Sequence, residues 1–106
     1  MTIQAVNTLE IRFSKIPNIK FDRALLANNI ETLQRADGCL GYTLHRSQTE
    51  KALWILCGYW HSEVQMTEHF ASHEMTYLVN TLIDAGANLT FASMVPQAEQ
   101  VPAHAH

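Results

Sequence analysis

The 106-residue chain is short enough for one domain, and its 47% hydrophobic and 16% charged content excludes a disordered polypeptide. Seven basic residues against ten acidic ones leave a net charge of −3 with no basic patch, which argues against nucleic acid or an anionic membrane as a partner. No apolar run approaches the ~20 residues that a membrane helix needs.

Met1-Thr2-Ile3-Gln4 is not a basic segment leading into an apolar stretch, so no secretory signal is expected. Two cysteines, Cys39 and Cys57, make no disulfide framework. Buried free thiols and a reducing cytoplasm are the expectation.

Ala5 to Ser14 alternates, with Asn7, Leu9, Ile11 and Phe13 on one face and Thr8, Glu10 and Arg12 on the other. Period two predicts a strand with one buried face. Lys15 to Lys20 reads as a loop around Pro17-Asn18. From Asp22 to Ala36, Leu25, Leu26, Ile30 and Leu33 follow helical spacing, and Gly38 suits the left-handed position after the helix. Leu40 to Gln48 alternates again, through Leu40, Tyr42 and Leu44. A polar turn, Thr49-Glu50-Lys51, joins it to an apolar strand from Ala52 to His61, a hairpin pattern.

Ser62-Glu63-Val64-Gln65 is a capping box that starts a helix at Glu63. Ser72-His73-Glu74 looks like a second cap, so the helix should break there. Met75, Leu78, Val79, Leu82 and Ile83 then form one apolar stripe, ended by Gly86. Asn88 to Val95 reads as a last strand, with Leu89, Phe91 and Val95 on one face. The domain spans 1–95. The tail 96–106 has no periodic pattern and is expected to be flexible or draped over the surface. Its His104 and His106 lack the fixed geometry that a metal site requires.

The order is β-α-β-β-α-β, the split βαβ or ferredoxin-like arrangement: an α+β fold whose antiparallel sheet carries both helices on one face. The third strand conflicts with one wet face. Trp54, Leu56, Gly58 and Trp60 alternate with Leu53, Ile55, Cys57 and Tyr59, and both sets are apolar. A second copy packed sheet to sheet would cover the outer set, so a homodimer is expected; the tail, with little apolar mass, is the other possible cover.

The first and third strands should be antiparallel neighbours. The expected pairing puts Asn7 near Trp60, Leu9 at Gly58, Ile11 at Leu56 and Phe13 at Trp54, all toward the helices. Gly58 lacks a side chain, so room for a pocket is expected there. Asn7 is polar on an apolar face: a structural hydrogen bond or a grip on a ligand's polar atom explains it equally well. Trp60 is either a core aromatic or a flat wall for a ring-shaped ligand. His69 is either a half-exposed helix histidine or, facing inward, a general acid or base. His69 and His73 have a metal-ligand spacing, but the break at Ser72 and the lack of a third ligand argue against a metal. Tyr42, Tyr59 and Tyr77 could each add a hydroxyl to the site. No phosphate loop, dinucleotide fingerprint, nucleophile elbow or Cys-x-x-Cys pair is present.

Asp37-Gly38-Cys39-Leu40-Gly41-Tyr42, Gly58-Tyr59-Trp60-His61-Ser62-Glu63, His69 and the Ser72-His73 turn together resemble the antibiotic biosynthesis monooxygenase domain family over residues 3–95. The resemblance implies a dimeric α+β barrel. It also implies, for some members, oxygenation of polycyclic phenols or anthrones to quinones without metal, flavin or haem. On that implication the partners are a small aromatic substrate and O2, and no cofactor is needed. Asn7 and Trp60 would hold the substrate carbonyl and the oxygen-derived intermediate, and His69 would be the base. Leu9, Leu56, Gly58, Phe70 and Leu78 would bind the substrate. A related haem-degrading branch carries an iron-ligating histidine where this chain has Val79, which cannot ligate. A non-catalytic dimer that carries or senses a small aromatic molecule is the rival class.

Overall fold

The structure is a computed structural model that describes residues 2–13 and 23–96. The loop at 15–20, Asp22, the side chain of Leu25 and the tail from 97 lie outside the described residues. The elements run β1 (Ala5–Phe13), α1 (Arg23–Leu33), β2 (Cys39–Arg46), β3 (Leu53–Trp60), α2 (Glu63–Phe70), α3 (His73–Asp84) and β4 (Ala87–Met94). One antiparallel sheet has the order β2-β3-β1-β4. This is the expected ferredoxin-like fold.

Strand β1 is central, and every second residue from Ala5 to Phe13 is buried. Its helix-facing side chains, with Leu56 and Trp60 of β3 and Leu26, Leu33, Met66, Met75, Leu78 and Leu82 of the helices, form the core. At roughly 1.5–3 kcal/mol for each large side chain, this burial is the main favourable contribution to folding.

The helix break falls where the second serine cap predicts. Ser62 Oγ accepts from the Gln65 backbone N–H, and Ser72 Oγ accepts from that of Met75. Each bond satisfies an N–H that the first helical turn leaves unpaired. Two short helices can each follow the twisted sheet, and α2 then turns Met66 and His69 inward.

Four expectations need correction. Cα partners across β1 and β3 are Asn7 with Gly58, Leu9 with Leu56 and Ile11 with Trp54, two residues away from the expected register. A shift of two keeps every side chain on its face, so periodicity cannot detect it. Helix α1 stops at Leu33 rather than Ala36, and tight turns through Arg35 and Ala36 follow. Gly38, at φ +84°, therefore lies within the approach to β2, not directly after a helix, and a β-carbon there would collide with the Gln65 side chain. Ile83 is 54% exposed, so the α3 stripe ends at Leu82. On β4 only Leu89 of the expected face is half-buried; Phe91 and Val95 are exposed.

The outer row of β3, Leu53, Ile55, Cys57 and Tyr59, is half-buried. Cys39 and Cys57 are free thiols and also half-buried. Among the described residues no helix is long and apolar enough to cross a membrane.

Candidate active site

The polar groups of the core gather at one end of the helix-facing side, where β1 begins and β3 ends. Asn7 and Trp60 are both fully buried. The Trp60 indole N–H donates to Asn7 Oδ1 at 2.7 Å. Asn7 Nδ2 is buried with no hydrogen-bond partner. An unsatisfied buried amide N–H costs roughly 1–3 kcal/mol.

His69 is 5% exposed, because its place three residues after Met66 turns it onto the buried face of α2. Its ring stands over Trp60, with centroids 4.7 Å apart. His69 Nε2 lies 2.9 Å from the Tyr42 hydroxyl, and Tyr42 meets Trp60 edge-on. Burial lowers the pKa of His69 below its ordinary 6.5, and nearby Glu74 offsets part of that shift. The imidazole is therefore neutral at pH 7. Burial pushes the Tyr42 hydroxyl far up, so Tyr42 stays protonated.

Gly58 does not leave an empty pocket. A β-carbon there would collide with Asn7 Oδ1 and lie 2.7 Å from Tyr42 Cζ. Its missing side chain makes room for those two groups instead. Alternation had put Tyr42 on the correct face, and its register position opposite Gly58 is the signal that would have singled it out among the three tyrosines.

Two cavities flank this cluster. An apolar groove of about 440 Å³ runs between β4 and the helices, lined by Phe70, Met75, Thr76, Val79, Phe91, Ala92 and Ser93. Phe70 and Phe91 meet edge-on at 6.5 Å within it. Ser93 is the Cα partner of Asn7 across β1 and β4, so the groove begins one strand away from the amide. A polar cavity of about 380 Å³ lies between the end of α1 and the helices α2 and α3; Arg35, Asp37, Gln65, Glu68, His69 and Glu74 are among its walls.

The structure thus brings Asn7, Trp60, His69 and Gly58 together and adds Tyr42. Leu9, Leu56 and Leu78 are fully buried in the core and line neither cavity; Phe70 lines the apolar groove. Val79 in the groove offers only methyl groups, and His73 is an exposed first residue of α3. Neither position suits an iron ligand facing the groove. Among the described residues no three His, Cys, Asp or Glu side chains converge on one point.

The sequence profile of the family described as "Antibiotic biosynthesis monooxygenase" matches residues 20–80, more than half of the chain. The chain belongs to this family. No curated protein sequence matches it. The fold is similar to that of a candidate antibiotic biosynthesis monooxygenase from Deinococcus radiodurans, with a TM-score of 0.76 at 17% identity over 92% of this chain and 96% of that one. It is also similar to SnoaB, a cofactor-independent oxygenase from Streptomyces nogalater, with a TM-score of 0.73 at 12% identity over 95% and 99%. A third similar structure is Rv0793 from Mycobacterium tuberculosis, with a TM-score of 0.66 at 19% identity over 90% and 99%. At such identities the likeness speaks for the fold alone, and the family's chemistry has to be weighed on this chain's own residues.

Proposed function

We propose that the protein is a cofactor-independent monooxygenase that oxidises a small polycyclic or phenolic aromatic with O2 to a quinone. The observation that carries this reading is Asn7: a fully buried amide with an unpaired N–H, bonded to Trp60, whose indole in turn packs against the buried His69. In this reading the substrate ring occupies the apolar groove against Phe70 and Phe91, with its oxygen toward Asn7. Hydrogen bonding from Asn7 stabilises the charge that develops on that oxygen. The base is His69, whose pKa below neutrality leaves it unprotonated.

The ionised substrate gives one electron to O2, and the two radicals recombine to a peroxide. For an anthrone, the two C–H hydrogens leave as water with one oxygen, and the other oxygen becomes the new carbonyl. The same reading makes the protein a cytoplasmic homodimer. A second copy covers Leu53, Ile55, Cys57 and Tyr59, and light scattering of the purified protein tests that assembly.

A binding module is the second reading, and one observation favours it. Asn7 Oδ1 is already engaged by Trp60, and His69 by Tyr42, so much of the cluster satisfies itself. Oxygen uptake separates the two. Metal-free protein is incubated with a panel of anthrones and naphthols. Uptake by the wild type that falls at least about 100-fold in Asn7→Ala and Trp60→Phe establishes the enzyme. Binding without uptake across the panel establishes the carrier.

A further inference from the structure

A base that takes a proton inside a sealed core must exchange it with water before the next turnover. The apolar groove offers no ionisable partner for this; its polar side chains are the hydroxyls of Thr76 and Ser93. His69, however, has two sides. Nε2 is held by Tyr42 in the interior, and no described residue hydrogen-bonds Nδ1. The same residue lines the polar cavity between α1, α2 and α3. Tyr42, in turn, reaches from β2 across Gly58 to the Asn7 side chain and meets Trp60.

We infer that Tyr42 and His69 form a two-step proton relay, from the Asn7–Trp60 end of the core to the polar cavity, and that this cavity is the proton port of the enzyme. The inference rests on the monooxygenase reading and adds to it. It makes Tyr42 the group that meets the substrate's proton, and it separates the route of the proton from the route of the substrate.

The proton balance closes. In the resting state the Tyr42 hydroxyl donates to Nε2, and Nδ1 carries the ring's hydrogen. As the substrate ionises, its proton passes to the Tyr42 oxygen while the hydroxyl proton moves to Nε2. The imidazolium then releases its Nδ1 proton to water in the cavity. When the peroxide forms, water returns a proton to Nδ1, Nε2 hands its proton to Tyr42, and the hydroxyl protonates the peroxide. The resting tautomer is restored. No electrons pass through the relay; they go from the substrate anion to O2. The groups that face the imidazole are Tyr42 from β2, Trp60 from β3, Glu68 on α2, Glu74 on α3, and Arg35 and Asp37 after α1. Burial opposes the transient cation and Glu74 at the cavity favours it, so the imidazolium is short-lived.

Two measurements test it. The first does not need activity. Diethyl pyrocarbonate acylates an accessible imidazole nitrogen that carries no hydrogen; at His69 that is Nδ1 in the relay's other tautomer, with the hydrogen on Nε2. Mass mapping of the labelled protein reads each histidine, with exposed His45, His61 and His73 as internal standards. His69 is expected to be labelled from the cavity, and Thr32→Phe, at an exposed position on the cavity wall, is expected to slow that labelling several-fold while the other histidines are unchanged. A His69 that stays unlabelled after the standards have reacted overturns the relay. So does a Thr32→Phe protein whose His69 reacts at the wild-type rate.

The second is oxygen uptake by Tyr42→Phe. The expected result is a kcat about 100-fold lower or less, with KM within about twofold, because a proton-transfer group is lost and the groove is untouched. Tyr42→Phe acting at the wild-type rate overturns the relay and leaves the monooxygenase standing. A wild type inactive across the panel overturns the monooxygenase, and the labelling still decides whether His69 opens on the cavity.

Discussion

The two ends of the helix-facing side of the sheet are built on different terms. At one end Leu9, Ile11 and Leu56 are fully buried among leucines and methionines, with no polar atom to satisfy. At the other, Asn7 and Trp60 are buried just as deeply, Tyr42 and His69 almost so, and one amide N–H has no partner. The first end contributes stability by apolar burial and close packing. The second gives some of that stability up, which a folding domain does not require. A group that is costly to bury and loosely satisfied points to binding or chemistry.

Mutations sharpen the contrast in order of size. Leu56→Ala at the apolar end should destabilise by about 2–5 kcal/mol in chemical denaturation and leave the polar cluster's chemistry intact per folded molecule. Gly58→Ala should cost about 1–3 kcal/mol, since its methyl group must displace Asn7 or Tyr42. It should also abolish ligand binding or turnover out of proportion to that loss, as judged at a temperature where the variant is fully folded. Asn7→Ala strands the Trp60 indole N–H and should cost about 1–3 kcal/mol.

The pH dependence is smaller and has a definite sign. The pKa of His69 in the folded protein lies below the ordinary 6.5, so between those values the unfolded chain binds more protons than the folded one. Stability is therefore complete above pH ~6.5 and is lost as pH falls through this window. His69→Gln should flatten that slope in denaturation followed from pH 7.5 to 5. Turnover should fall on the same acid limb, because the protonated imidazole is no base. The smallest effect belongs to Arg12→Ala. The Arg12–Glu50 pair, with N–O at 2.6 Å, ties β1 to the β2–β3 turn but lies in solvent, so a melting temperature within error of wild type is expected.

Much of this was legible before any coordinates. Alternation placed Asn7, Leu9, Ile11 and Phe13 on one buried face, and two serine caps placed the break between α2 and α3. Both signals are local: the pleat and the first helical turn impose them on consecutive residues. Tyr42 was not legible as a partner. Its contact with His69 joins residues 27 apart in sequence and depends on the register of β2 against β3 and on the height of α2 above the sheet.

The order of elements, the buried face of β1 and the capped starts of α2 and α3 were decided by periodicity and capping alone, because each depends on neighbours in the chain. Tertiary structure decided which residues stand opposite one another. A two-residue shift of register costs periodicity nothing, yet it moved Gly58 from Leu9 to Asn7 and turned an expected void into the seat of an amide and a phenol. The separation of an apolar groove from a polar port likewise follows only from how three short helices settle on a twisted sheet.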